Sequence, residues 1–136
     1  MKRFSIPLAV LLASASFAVA SAAHDNGNGD DRGVLNAIAQ APLASRDWQN
    51  PYEGQPDAIA AGKKLFLQHC AECHGRDARG RGHAINLRSP GVQNAMPGEL
   101  VWFLRSGNLW RGMPSWSGLP VERRWQIVTY LKSLRH

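Results

Sequence analysis

Five consecutive residues, Cys70-Ala71-Glu72-Cys73-His74, carry the most reactive set of side chains in this 136-residue sequence. Cys-x-x-Cys followed directly by His is typical of the covalent attachment of a c-type haem. Cysteines three positions apart point the same way on a helical turn, so both thiols can reach the vinyl groups of one porphyrin. The next imidazole then lies beneath the ring, where it can bond the iron. The motif predicts one covalent haem c, attached through Cys70 and Cys73 and ligated by His74.

Two other uses of a Cys-x-x-Cys pair fit the sequence less well. A redox-active dithiol usually follows a strand in a thioredoxin-like βαβ unit, and no such pattern surrounds Cys70. A structural zinc site needs four closely spaced ligands, and the sequence contains no second cysteine pair. Haem attachment is therefore the preferred interpretation.

The N-terminus has the features of a secretory signal. A basic start, Met1-Lys2-Arg3, precedes an apolar stretch over residues 4–20 that ends in small residues suited to cleavage. We therefore predict a cleaved signal peptide over residues 1–22 and a periplasmic protein, with an uncleaved anchor as the alternative. A chain that loses this segment would not be an integral membrane protein.

Residues 23–57 are predicted to form a flexible linker and an extended N-terminal arm. Residues 24–31 are polar and Gly-rich, which is typical of flexible chain. A short helix over residues 34–40 would stop before Pro42. Two aromatic residues, Trp48 and Tyr52, indicate that the arm lies against the following domain.

Residues 58–136 are predicted to form one all-α domain. A first helix is expected from Ala58 to about Cys73, with Asp57 as its N-cap. A middle helix follows over residues 99–106 and a last helix opens at Pro120. Residues 75–98 are rich in Gly and Pro and read as loop.

The first helix and its motif resemble class I cytochrome c. Gly62 stands where that family has a helix glycine that meets an aromatic of the C-terminal helix, and Tyr130 matches that aromatic. Phe66 matches the core aromatic of the first helix. The resemblance covers about residues 58–136 and implies the class I cytochrome c fold, three or more helices packed around one covalent haem.

The resemblance also assigns residues to the haem pocket. Ile85-Asn86-Leu87 is the nearest match to a Pro-Asn-Leu segment that packs its Leu on the haem and lends a carbonyl to the ligand histidine. Leu87 is therefore expected on the haem. Because Ile stands where the family has Pro, the carbonyl that orients His74 is left unassigned.

The sixth iron ligand decides the class of protein. Met113 and Met96 compete for this position, and His83 and His69 are the histidine rivals. The family places its ligand in the loop between the middle and last helices, which is where Met113 lies. We therefore expect His74 and Met113 as the iron ligands, a pair typical of electron carriers with a raised potential.

The charge is unevenly distributed. The formal net charge is +6, but residues 58–136 carry twelve Lys and Arg against four Asp and Glu, a net +8. A basic domain raises nucleic acid as a partner, which an exported protein rarely meets. Docking on an acidic protein face or an anionic membrane is preferred, and a merely soluble basic surface remains the alternative.

The leading hypothesis is a periplasmic one-electron carrier, not an enzyme, that moves electrons from a dehydrogenase or respiratory donor to an oxidase or other acceptor. The arm and the Met113 loop also resemble small cytochromes that serve quinoprotein dehydrogenases. A haem enzyme or gas sensor with an open sixth site, peroxidase-like in chemistry, is the main alternative. A cytochrome subunit anchored in a larger respiratory assembly is a third.

Overall fold

The computed structural model describes residues 31–135, and within them the fold is all-α, as predicted. Residues 1–30, which include the expected signal peptide and the first part of the expected linker, lie outside the described residues. Within residues 31–135, six α-helices and two 3-10 helices follow one another. They are α1 (Asp31–Ala39), a 3-10 helix (Leu43–Asp47), α2 (Pro56–His69), α3 (Ala71–His74), α4 (Pro90–Asn94), α5 (Pro97–Ser106), a second 3-10 helix (Leu109–Arg111) and α6 (Val121–Ser133).

Helix α2 begins and ends differently from the prediction. Its N-cap is Gln55, and Pro56 occupies the first helical position, where a missing N–H costs nothing. Asp57, which was expected as the N-cap, lies instead in the first turn, where a carboxylate favours the helix dipole. The helix stops at His69, and after Cys70 the chain forms the separate single turn α3.

The packing of α2 on α6 depends on a glycine. A Cβ at Gly62 would collide with the backbone carbonyl oxygen of Gln126 and would lie 2.9 Å from Cβ of Tyr130. Phe66, one turn further along α2, is fully buried, and its ring centre lies 5.4 Å from that of Tyr130. The predicted meeting of Gly62 with Tyr130 is confirmed, and Phe66 lies in the core as expected.

The described residues 31–57 lie against the following domain, as Trp48 and Tyr52 indicated, but they are partly helical rather than extended. Helix α1 confirms the short helix expected in this region, but it is no loose arm, because Val34 and Ile38 are buried in the same core as Phe66. Further along, Asn50 donates a hydrogen bond from Nδ2 to Oγ1 of Thr129 on α6, at 3.0 Å. The sequence pattern missed this because a nine-residue helix with two core residues looks much like a surface segment.

The 3-10 helix Leu43–Asp47 is held against the N-terminus of α5. Arg46 donates from Nε to Oε1 of Glu99 at 2.8 Å, and the other carboxylate oxygen accepts the backbone N–H of Met96. Glu99 is thus buried with both oxygens paired, which is what a buried carboxylate requires.

The segment between α3 and α5 is more ordered than the predicted loop. It contains α4, and Gln93 in that helix is buried. The Gln93 amide donates from Nε2 to the carbonyl oxygens of Leu87, at 2.7 Å, and Leu131, at 3.1 Å. No helix within residues 31–135 has the length and apolar character needed to cross a membrane.

Candidate haem site

The residues predicted to hold a cofactor surround one cavity of about 720 Å³. This volume lies within the range of small-molecule and cofactor pockets, roughly 300–1,000 Å³. The cavity is lined by residues from α1 to α6 and by the loops between them, and most of its wall is aliphatic or aromatic. The structure places around it all five predicted site residues: Cys70, Cys73, His74, Leu87 and Met113.

The haem motif forms a helical turn at the edge of this cavity. The backbone N–H of His74 donates to the carbonyl of Cys70 at 2.9 Å, and that of Gly75 to Ala71 at 3.0 Å. Cys70 is half-buried and Cys73 is exposed, and both are free thiols rather than a disulfide. Two thiols one turn apart on the wall of an apolar cavity suit two thioether bonds to one porphyrin.

The raised pKa of the Cys70 thiol argues against a redox dithiol. Burial, together with a smaller contribution from the neighbouring Cys73 thiolate, raises the pKa of the Cys70 thiol to about 11. Redox-active Cys-x-x-Cys motifs need the opposite shift, because the thiolate is the reactive form. Within residues 31–135, no three His, Cys, Asp or Glu side chains come together as a metal site of the zinc type.

The His74 imidazole is held by a backbone carbonyl. Its Nδ1 lies 3.2 Å from the carbonyl oxygen of Ile85, and because a carbonyl can only accept, Nδ1 carries the proton. Nε2 then keeps its lone pair for a metal. Burial lowers the pKa of His74, and the hydrogen bond to Ile85 opposes this in part. The neutral form, which is the one that binds iron, is therefore favoured.

The Ile85 carbonyl is positioned by its surroundings. Gly80 has φ +86°, and a Cβ there would lie 2.8 Å from the carbonyl carbon of Ile85. The Gly80 N–H donates to the carbonyl of His74 at 2.8 Å, and that of Leu87 to Ala78 at 2.9 Å. The carbonyl left unassigned by the sequence is that of Ile85. Any residue type can supply a backbone carbonyl, so the Ile in place of Pro did not matter.

The two candidate methionines lie in different places. Met113 is half-buried in the cavity wall, and its backbone exchanges two hydrogen bonds with Asn108, at 2.9 and 3.0 Å. These bonds close the loop that precedes Met113. Met96 is the N-cap of α5 and is 51% exposed, away from the cavity lining. Of the two thioethers, that of Met113 belongs to the cavity.

Several polar residues also line the cavity. His69, one of the histidine rivals for the sixth position, is half-buried, and its ring centre lies 5.2 Å from that of Trp116. His83 and Arg81 come from the loop after the motif. Arg111 was not predicted, and its guanidinium group lies against Gly33 of α1. Its position in the loop before Met113, which was expected to face the haem, would have been a signal for it.

These features fit a c-type haem. The cavity has the required size and apolar lining, two thiols stand one turn apart, and a neutral imidazole with a fixed Nδ1 lies beside them. A thioether lines the same cavity. The donor set, one imidazole and one thioether, is the chemistry that haem iron accepts in electron carriers.

The fold and this site define a c-type cytochrome domain. Residues 57–131 match the family described as cytochrome C oxidase, cbb3-type, subunit III, and the chain belongs to this family. It is therefore an electron-transfer component that carries covalent haem c. The classification confirms the c-type cytochrome predicted from the motif.

One curated protein that the chain resembles is the Cbb3-type cytochrome c oxidase subunit CcoP of Rubrivivax gelatinosus. The two are 36% identical over 95 residues, which cover 57% of this chain and 31% of the relative. The chain thus spans about a third of the length of this relative. No solved structure matches the chain.

Proposed function

We propose that this chain is a periplasmic one-electron carrier domain that delivers electrons to a terminal cbb3-type oxidase. It would hold one haem c through Cys70 and Cys73, with His74 and Met113 as axial ligands and Leu87 packed on the ring. The observation that carries the proposal is the convergence of these five residues on one apolar cavity.

When bound, the haem supplies reversible one-electron chemistry at its iron. The chain controls that chemistry through its own side chains. His74 presents Nε2 because Nδ1 is fixed on the Ile85 carbonyl. Met113 offers a soft thioether, which favours the reduced metal and fills a position that small ligands would otherwise use. The aliphatic and aromatic wall excludes water, which further disfavours the charged oxidised form.

The chain contains two cysteines, which suffice for one haem of this kind. This supports a monohaem chain.

The partner is best supported on the oxidase side. The family match and the similarity to CcoP favour a cbb3-type oxidase as the acceptor or the host assembly, and this is close to the third hypothesis drawn from the sequence. The comparisons give no support to a quinoprotein dehydrogenase as donor. The net +8 of residues 58–136 favours an acidic docking face on the partner over nucleic acid. The periplasmic location rests on the signal predicted for residues 1–22.

An open-site enzyme or sensor is the competing function, and Met113 separates the two. A thioether in the cavity wall favours a closed, six-coordinate carrier, whereas a peroxidase or sensor needs a free or easily vacated position.

The test is the absorption spectrum of the oxidised holoprotein with two matched variants. We expect the weak near-infrared iron–methionine band in the wild type. Met113→Ala should abolish the band, lower the midpoint potential and admit carbon monoxide or cyanide rapidly, because the thioether is lost. Met96→Ala removes the same side chain outside the cavity and should change none of these. If the wild type lacks the band and binds carbon monoxide at once, the carrier proposal is contradicted and the open-site alternative is supported.

A further inference from the structure

The tip of the Met113 loop exposes two large apolar side chains. In the 3-10 helix Leu109–Arg111, Leu109 is 76% exposed and Trp110 is fully exposed. A single exposed leucine is ordinary on a protein surface, but a completely exposed tryptophan beside it is not. We call these two residues the Leu109–Trp110 knob.

The turn that carries the knob is held by backbone hydrogen bonds. The backbones of Asn108 and Met113 exchange two hydrogen bonds, and the Arg111 N–H donates to the carbonyl of Asn108 at 3.0 Å. The Gly112 N–H then donates to Leu109 at 3.0 Å, with Gly112 in the left-handed region at φ +75°. A side chain held in one orientation before binding loses less entropy when a partner covers it.

The stretch of chain that carries the knob has charges of one sign. Between Glu99 and Glu122 the only charged residues are Arg105 and Arg111, and both are exposed. A tryptophan with Arg111 next to it in the same 3-10 helix, and Arg105 four residues before the helix, has the composition of protein-binding hot spots, in which Trp and Arg are enriched. The complementary surface is an apolar recess bordered by carboxylates.

We propose that the Leu109–Trp110 knob inserts into such a recess on the redox partner protein and sets the docking orientation. The inference rests on the proposed carrier function, because it identifies where that carrier meets its partner. The knob lies three residues before Met113, so docking here brings the partner onto the loop that carries the proposed iron ligand. A protein is favoured over a lipid surface because two side chains on a short turn lack the long apolar face of membrane-binding helices.

The test compares two leucines of equal exposure. Leu109 is 76% exposed and Leu43, on the other 3-10 helix, is 74% exposed. Reduced holoprotein is oxidised by a purified cbb3-type oxidase, and KM and kcat are measured for Leu109→Ser, Trp110→Ser and the control Leu43→Ser. We expect KM to rise at least tenfold in the two knob variants and less than twofold in the control. Midpoint potential and the rate of oxidation by ferricyanide, which needs no docking, should be unchanged in all three.

A second test of the charged residues measures how KM depends on ionic strength. The KM of the wild type should rise with ionic strength, and Arg105→Gln should reduce that dependence, since screening acts on exposed charge pairs. A KM that stays constant from low to high salt would contradict the carboxylate-bordered recess.

Each remaining outcome is decisive. Knob variants with the KM of wild type overturn the inference and leave the proposed function intact. Wild type that ferricyanide oxidises but the oxidase does not overturns both. Loss of co-sedimentation with phosphatidylglycerol vesicles, at unchanged KM, assigns the knob to a membrane instead. Loss of a concentration-dependent dimer, at unchanged KM, assigns it to a second copy of this chain.

Discussion

The cavity has two walls that are built in different ways. The histidine wall, residues 70–89, is fixed along its length: its backbone groups bond to one another from Cys70 to Leu87, and Ala78 within it is fully buried. The methionine wall, residues 107–116, also has hydrogen bonds within its turn, but residues 109–112 are exposed. At its end the Trp116 N–H donates to Leu104 at 2.9 Å, and the Asn108–Met113 bridge closes a loop whose tip points into solvent.

The two walls meet different requirements of the proposed carrier. In the proposed carrier, the histidine wall would hold its ligand in every redox state, and its backbone hydrogen bonds around the buried Ala78 and Ile85 stiffen it. The methionine wall would also meet the partner, and its exposed tip makes this possible. We infer that substitutions in the histidine wall act mainly on folding, whereas those in the methionine wall act mainly on ligand exchange and docking.

The largest effect is expected from removing the attachment itself. Cys70→Ala combined with Cys73→Ala should yield a chain without covalent haem and largely unfolded. Without the haem, the apolar side chains that line the cavity lose the body they pack against, and a small domain has little other apolar burial to replace it. Far-UV circular dichroism and the haem stain of the purified protein measure the result. A haem-free variant with native-like helicity would contradict this prediction, because the two walls of the cavity would then fold without the haem.

A pair of glycines compares the two walls directly. Gly80 and Gly112 both have positive φ, +86° and +75°, but a Cβ at Gly80 meets the carbonyl of Ile85 at 2.8 Å, while one at Gly112 meets nothing within 4 Å. Gly112→Ala should cost only the left-handed strain, about 1–2 kcal/mol. Gly80→Ala adds crowding of about 1–3 kcal/mol.

Urea unfolding of the two holoprotein variants measures this difference. Only Gly80→Ala should also shift the Soret band, since it displaces the carbonyl that holds His74. Equal losses of stability in the two variants would refute the contrast between a packed and an open wall.

The smallest effect is expected at the end of the methionine wall. Ser115 donates from Oγ to the carbonyl of Arg105 at 2.6 Å and helps to tie the loop to α5. Ser115→Ala should lower stability by only about 0.5–1.5 kcal/mol, the net value of one hydrogen bond, yet it should speed carbon monoxide binding to the reduced protein.

The control is Ser106→Ala, because the hydroxyl of Ser106 is exposed and makes no hydrogen bond within residues 31–135. Stopped-flow carbon monoxide binding measures both variants. If both variants bind carbon monoxide at the wild-type rate, the Ser115 hydrogen bond does not control access to the cavity, and the prediction is wrong.

Much of the site could be predicted because its chemistry fixes residue types and spacings. Two thioethers and one imidazole require Cys-x-x-Cys-His, and a helix crossing at contact distance requires a residue without a side chain, which led to Gly62. Met113 could be chosen over Met96 from its place between two helices, and that place also puts it in the cavity wall.

The rest could not be predicted because it depends on groups that leave no trace in residue type. The carbonyl that holds His74 belongs to Ile85, and a carbonyl is common to every residue. The α1 contribution was missed because Val34 and Ile38 meet their neighbours only in three dimensions. The contact of Arg111 with Gly33 joins positions far apart in the chain for the same reason.

Because of helix α1, the folded domain begins earlier in the chain than the family match does. The family match begins at residue 57, so α1 and the Leu43–Asp47 turn lie outside the matched segment. Val34 and Ile38 nevertheless line the haem cavity, and Arg46 pairs with the buried Glu99. The folded domain is therefore longer than the segment that matches the family. A recombinant fragment cut where homology begins would open one side of the cavity to water and leave Glu99 without its cation.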